Sequence, residues 1–310
     1  MRTLSAAALV GCGVGALTAL AAAIYRRRRT IILPRIELQT LAAADVPPEL
    51  RIDHYIDLTA ADARLQRNPM VTHIRTNCVT VVDVLDSLHA VIVAFMDSVQ
   101  RQVEDAGLDS GYHITHHLGS VIIQSSDAHI ASSAVLDASA GSIFIGTGVT
   151  IEPAAYVKGP AVIRHGCTVR HGAYIRGDVY LGAQCVVGGE LKHMLAFDEV
   201  ELPHYGYVGD SVLGYRAHFG CGALTANLPL FEGSQPAVEI RGTTYVLGRR
   251  KFGAIVGDHV QLGCGTVTEP GCLLAPHAMC YPLTRLPRGY YAPRTLLKNR
   301  PQVERAMLRE

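Results

Sequence analysis

From Ile143 to Val187 an aliphatic residue recurs every six positions, at Ile145, Ile151, Val157, Ile163, Val169, Ile175, Leu181 and Val187. Two places before each stands a small or medium apolar residue: Ile143, Val149, Ala155, Ala161, Cys167, Ala173, Val179 and Cys185. No helix repeats at six. A hexapeptide with one large and one small inward slot is the signature of a parallel β-helix, in which each unit forms one flat side of a triangular prism. Coils stacked ~4.8 Å apart would bury both columns. The order breaks at His193, resumes at Tyr207, Leu213, Phe219 and Thr225, and resumes again at Val256, Leu262, Thr268, Leu274 and Cys280. The stretches 189–206 and 226–251 are therefore expected to leave the prism wall. Excursions from a rigid scaffold are where binding residues concentrate, and these hold Lys192, His193, His204, Asn227, Arg249, Arg250 and Lys251. Glycine follows the large slot at 182, 188, 214, 220, 257 and 263, where a tight corner favours a residue without a Cβ.

Outside the prism the pattern changes. Thr80 and Asp83 form a capping-box signature, after which Val84, Leu85, Leu88, Val91, Ile92, Phe95, Met96, Val99 and Val103 fall on one helical stripe closed by Gly107. That stripe predicts a helix packed against the first coils. Residues 31–78, with prolines at 34, 47, 48 and 69, read as loops and short elements. Beyond Pro282 the period fades, and Arg294 to Glu310 predicts a polar terminal helix capping the last coil. The chain thus divides into 1–30, a membrane anchor or targeting segment; 31–110, a loop and amphipathic helical region; 111–290, the β-helix; and 291–310, a helical tail.

Leu4 to Tyr25 carries no charge, long enough to cross a hydrocarbon core that needs ~20 residues. Arg26 to Arg29 follow it and only Arg2 precedes it, so the positive-inside rule places the β-helix in the cytosol. A cleaved signal peptide and an organellar targeting peptide are the rival readings. The formal charge of +1 argues against a nucleic-acid partner, since phosphate neutralisation needs a basic excess. The eight cysteines make no CxxC pair and read as free thiols in a reducing compartment. No glycine-rich phosphate loop follows a strand in the first 110 residues.

Four phrases, GELKHMLAFDEVELPHYGYVGDSVLG, FGCGALTANL, RRKFGAIVGD and RHGAYIRGDV, resemble the acetyltransferase domain of bacterial bifunctional uridyltransferase/glucosamine-1-phosphate acetyltransferases and its single-domain relatives. The resemblance covers roughly residues 141–288. It implies a mainly β fold, a left-handed parallel β-helix, where general connection rules would favour the right hand. It further implies acetyl-CoA as co-substrate without a metal, a sugar-phosphate acceptor, and a homotrimer with sites between prisms. His204, fourteen residues after Glu190, corresponds to the general base that relieves an attacking amine of its proton. Lys192 corresponds to a phosphate-contacting lysine, Arg170 or Arg176 to a phosphate-binding arginine, Tyr207 and Asn227 to sugar-contacting positions, and Lys251 to a second substrate lysine. Gly263 and Cys264 fall where acetyl-CoA is held. Tyr207 also occupies a large slot and has a packing reading.

His218 stands where the family has asparagine, Leu228 where it has tyrosine, and Cys264 where it has serine; Leu228 to Gly248 replaces a short loop. The nucleotidyltransferase half is absent from the resemblance. Two other function classes fit the residues. One is a non-catalytic sugar-phosphate or nucleotide-sugar binding scaffold. The other is a zinc carbonic anhydrase on the same prism, whose metal would need three convergent imidazoles.

Overall fold

The computed structural model describes residues 33–59 and 68–299. Its centre is a three-sided column of short parallel strands. Face one is built from Val135–Asp137, Tyr156–Lys158, Tyr174–Arg176, the first half of Glu190–Ala196 and of Tyr207–Leu213, and then Leu224–Thr225, Val267–Thr268 and Arg285–Leu286. Face two runs through Ile143–Ile145, Ala161–Ile163, Val179–Leu181, the second halves of the same two long strands, Ala254–Val256, Cys272–Leu274 and Gly289–Tyr291. Face three has nine strands, from His129–Ile130 to Leu296–Leu297. An antiparallel hairpin, Tyr112–His117 with Ser120–Ser125, closes the first coil.

The hexapeptide columns point inward as the period predicts. All sixteen residues of the Ile143–Val187 run are at most 1% exposed. The corner glycines are required by the neighbouring coil: a Cβ on Gly220 would stand 2.6 Å from the Cys264 nitrogen, and one on Gly188 2.5 Å from the Pro203 oxygen. Ile163→Ala, in the middle of this column, is expected to cost about 2–5 kcal/mol in chemical denaturation, the transfer term plus a void that packed neighbours cannot fill.

The first interruption departs from expectation. Residues 189–206 stay in the wall, contributing Glu190–Ala196 to faces one and two and Glu201–Leu202 to face three. Coils here are shortened. Thr168 pairs with Val186, eighteen residues on, but Tyr174 pairs with Glu190, sixteen on, and Val179 with Met194, fifteen on. Two residues are missing from the corner between faces three and one, at Gly188 and Gly189, and one from the corner between faces one and two, at His193. The lost residue also moves the inward slot from Tyr207 to Val208, which is 3% exposed, while Tyr207 turns outward. Only 226–251 leaves the wall; it forms a hairpin, Ala237–Ile240 with Thr243–Val246, to which Arg35–Glu37 adds a third strand.

Two helices cover face two. The helix α1, Pro69–Asn77, begins at Asn68, whose side chain accepts from the Met70 N–H. The longer α2, Val81–Ala106, has the full Thr80/Asp83 capping box and ends at Gly107. The predicted stripe of α2 meets the outward residues of face two, Phe144, Val162, Tyr180, Leu195, Val212, Ile255 and Leu273, in a second core. The column also continues past 290: Leu296–Leu297 pairs with Met279–Cys280, so the expected helix does not begin at 291. The pattern beyond Pro282 is faint because outward residues dominate there, yet strand pairing persists. Residues 300–310 and the expected anchor at 4–25 lie outside the described residues. Among the described residues no helix is long and apolar enough to cross a membrane.

Candidate functional site

The predicted site residues fall into two groups at the two ends of face one. At the corner between faces three and one stands His204, exposed, on the turn from Glu201–Leu202 to Tyr207–Leu213. The two-residue deletion at Gly188–Gly189 lies directly below it. Arg170, one coil further down, reaches over those glycines and donates from Nη1 to the Pro203 oxygen at 3.1 Å. The narrow space left here is lined by Gly189, Glu190, His204, Tyr205 and Gly206 at the corner and by the inward-facing Leu191, Leu202, Val208, Phe219 and Ala223, and holds about 10 Å³, room for one water. One chain therefore supplies a wall and no enclosed pocket. Above His204 on the same corner come Cys221 and then Cys264, because the flanking pairs Glu201↔His218, His218↔Gln261 and Leu224↔Val267 keep register across the turn. Gly263 is the neighbour of Cys264, so Arg170, His204, Gly263 and Cys264 share one corner of the column, with Cys264 two coils above His204. Gly189→Ala would place a Cβ 2.6 Å from the Gly206 oxygen; it is expected to lower the melting temperature and to shift the His204 turn, seen as changed reactivity of that imidazole toward diethyl pyrocarbonate.

The second group lies at the corner between faces one and two. Lys192 donates to Asp178 Oδ2 at 3.0 Å and to the Gly177 oxygen at 3.3 Å. Asp178 also meets His89 Nδ1 of α2 at 2.6 Å. Burial opposes its ionisation, but the His89 and Lys192 hydrogen bonds win and hold the carboxyl below its ordinary range. One coil up, Asp210 Oδ2 accepts from Asn227 at 2.6 Å and Oδ1 lies 3.1 Å from His193 Nδ1 and 3.5 Å from Arg249. Asn227 also donates to the Tyr207 hydroxyl at 3.0 Å. Burial and the nearby Asp210 push the Tyr207 phenol up. Arg249 returns to α2 through Asp86. Asp178, His193 and Asp210 stack with φ of 54°, 50° and 47°, the left-handed backbone by which the long strands turn the corner. The base of the excursion closes through Phe252 N–H to the Asn227 oxygen at 2.9 Å, which sets exposed Lys251 beside this group.

Arg176 lies between the groups, on face one, with Nη1 2.5 Å from Glu190 Oε1 and its guanidinium 5.8 Å from the Tyr174 ring centre. His204 and Lys192 are thus separated by the width of that face: five residue steps, up to ~16 Å, lead from His204 to Gly209, the register partner of Lys192. His218 sits on face three, 3.0 Å from Glu201 Oε2. Leu228 lines an open groove of 660 Å³ on the excursion with Leu230, 90% exposed, and Phe231, 76% exposed. The partners that sequence reasoning missed are Asp178, Asp210, His89 and Asp86. Two coil-corner aspartates had no signal in the hexapeptide pattern, and from α2 His89 pairs with Asp178 and Asp86 with Arg249 across about ninety positions or more. Among the described residues no three His, Cys, Asp or Glu side chains converge in a group able to hold a metal.

The site is therefore an exposed imidazole at one corner of a hexapeptide-repeat β-helix, above two shortened coils. Over part of its length the chain is similar to bifunctional sugar-1-phosphate nucleotidylyltransferase/acetyltransferase from Sulfurisphaera tokodaii, 38% identical over 93 residues, or 30% of this chain and 23% of the relative. Bifunctional protein GlmU of Methanococcus maripaludis is 38% identical over 90 residues, 29% of this chain and 21% of that one. GlmU of Staphylococcus saprophyticus is 30% identical over 77 residues, 25% and 13%. The chain therefore spans about a quarter or less of the length of these relatives. No family model matches. A solved polysialic acid O-acetyltransferase, OatWY, aligns over 58% of this chain and 90% of its own at 13% identity and a TM-score of 0.20, too loose a superposition to bear on function.

Proposed function

We propose that the protein is an acyl-CoA-dependent acyltransferase that N-acetylates an amino sugar bearing a phosphate. The observation that carries this reading is His204, exposed above the Gly188–Gly189 notch with Arg170 spanning it. Similarity to relatives whose names include acetyltransferase activity supports it. In this scheme acetyl-CoA lies along the corner past Cys264, Cys221 and His204. The acceptor amine attacks the thioester carbonyl, His204 takes the amine proton, and backbone N–H groups of the corner turns stabilise the tetrahedral oxyanion. CoA thiolate leaves and is protonated, so no protein nucleophile is needed.

Arg176 and Lys192 are already matched by Glu190 and Asp178. Arg170, whose guanidinium meets a carbonyl oxygen at the His204 corner, is better placed to hold a phosphate. The shallow cleft is completed by a neighbouring copy, and since helices cover face two, faces one and three are the surfaces left for a homotrimer. The test is CoA-thiol release with a panel of amino sugars and their phosphates, alongside sedimentation velocity. Release that needs a phosphorylated acceptor and Arg170, in a trimeric species, is the expected result; release without any amino-sugar acceptor would overturn it.

A second reading, a sugar-phosphate binding scaffold without catalysis, rests on the altered sugar-side residues His218, Leu228 and Cys264. Saturable phosphosugar binding with no thiol release would support that alternative. Placement at a membrane rests on residues 4–25 and is tested by carbonate extraction of the full-length protein, which should leave it in the pellet.

A further inference from the structure

We propose that Cys221 and Cys264 form a dithiol modification site, which a small oxidised thiol such as glutathione disulfide converts to an intramolecular disulfide beside His204. The formation of this bond stands apart from the transferase reading; its effect on acyl-CoA binding rests on that reading.

The two cysteines hold equivalent positions on successive coils. His218↔Gln261 and Phe219↔Leu262 precede the turn and Leu224↔Val267 follows it with the same offset, so Cys221 lies opposite Cys264. The Gly265 N–H donates to the Cys221 oxygen at 2.8 Å, locking the two turns together. Successive coils of such a column are ~4.8 Å apart, within the roughly 4.4–6.8 Å Cα separation that a disulfide spans. Cys264 is exposed and Cys221 half-buried. On the rung below stands Tyr205, 74% exposed, with its hydroxyl against the turn at Gly222. Both thiols are thus reachable from solvent at one corner.

The other thiols among the described residues are set apart. Cys167, Cys185, Cys272 and Cys280 are buried. Burial pushes Cys78 up to about 11 and Cys272 up to about 12, leaving little thiolate at neutral pH. Cys167 and Cys185 fill the small inward slot, where a cysteine serves as a hydrophobe.

The step balances. The Cys264 thiolate attacks one sulfur of glutathione disulfide and releases one glutathione thiolate, leaving a mixed disulfide on Cys264. The Cys221 thiolate then attacks the Cys264 sulfur and releases the second. The protein loses two protons and two electrons, and the oxidant leaves as two glutathione thiols.

The experiment treats reduced full-length protein with glutathione disulfide and follows intact mass and a non-reducing peptide map. The expected product is lighter by two hydrogens, carries one cross-link joining the peptides of Cys221 and Cys264, and reverts with dithiothreitol. Cys221→Ser should stop at a glutathione adduct on Cys264, and Cys264→Ser should form no cross-link. Adducts on both cysteines of the native chain, or no change at either, would overturn the proposal. Melting with acetyl-CoA is then compared in the two forms. Stabilisation of the reduced form that the disulfide form lacks is expected, and equal stabilisation of both would refute the blocking effect. A reduced form that acetyl-CoA fails to stabilise, with the cross-link still formed, removes the transferase reading and leaves the dithiol site intact.

Discussion

His204→Ala is expected to lower acetyl transfer about 10²- to 10⁴-fold, the range that a positioned general base contributes, while the protein stays folded and acetyl-CoA still raises its melting temperature. The side chain is exposed on a corner turn and no core residue depends on it, so stability should move by less than about 0.5 kcal/mol. Steady-state rates of the variant should fall in kcat, because proton removal matters only once the amine is attacking. A variant with unchanged kcat would remove His204 from the chemistry and leave the column as a binding surface.

Asp210→Asn is expected to destabilise the fold by about 2–3 kcal/mol at neutral pH, because it leaves His193 and Arg249 facing a neutral amide in a site that is largely closed to water. Burial opposes the charge on Asp210, yet the close His193 imidazole, the hydrogen bond from Asn227 and the Arg249 charge hold its carboxyl below the ordinary range. Above the unfolded value near 3.8 the folded chain keeps this carboxylate ionised in favourable company, and its contribution is complete. As pH falls through the lower folded value, the proton binds in both states and the contribution disappears. Denaturant titrations of native and variant protein should therefore diverge at pH 7 and converge on the acid side of pH 4. A gap of constant size down to pH 3 would mean that the variant acts by packing alone. Asp258 has the opposite sign: burial pushes it up to about 6, so its share of stability is present at low pH and is lost as pH rises through that value. The Asp210 comparison is a difference between two chains that both contain Asp258, so this second slope cancels.

The column was legible because inward slots obey a period that nothing else in the chain shares. Ile145 through Val187 and the stripe of α2 sit where the pattern put them. What the pattern could not reveal was a coil that changes length without leaving the wall. Deleting two residues at Gly188–Gly189 and one at His193 breaks the period as an excursion would, so 189–206 reads as a loop although every strand is kept. The same slip turned Tyr207 from core to surface. Of the candidate site, the grouping of His204 with Arg170 and Cys264 follows from register, whereas Lys192, Asn227 and Lys251 fall a full face away. Asp178 and Asp210, which hold Lys192 and Asn227, are corner residues, and the helix residues His89 and Asp86 reach that corner through Asp178 and Arg249 with no local pattern to announce it.

A structure of the full-length protein with acetyl-CoA is the most direct test of the central claim. The thioester is expected at the corner between faces three and one, its carbonyl carbon beside His204 and its pantetheine arm passing Cys221 and Cys264. Acetyl-CoA seated instead against α2, or in the cleft at Asp258, His259 and His277, would contradict the account.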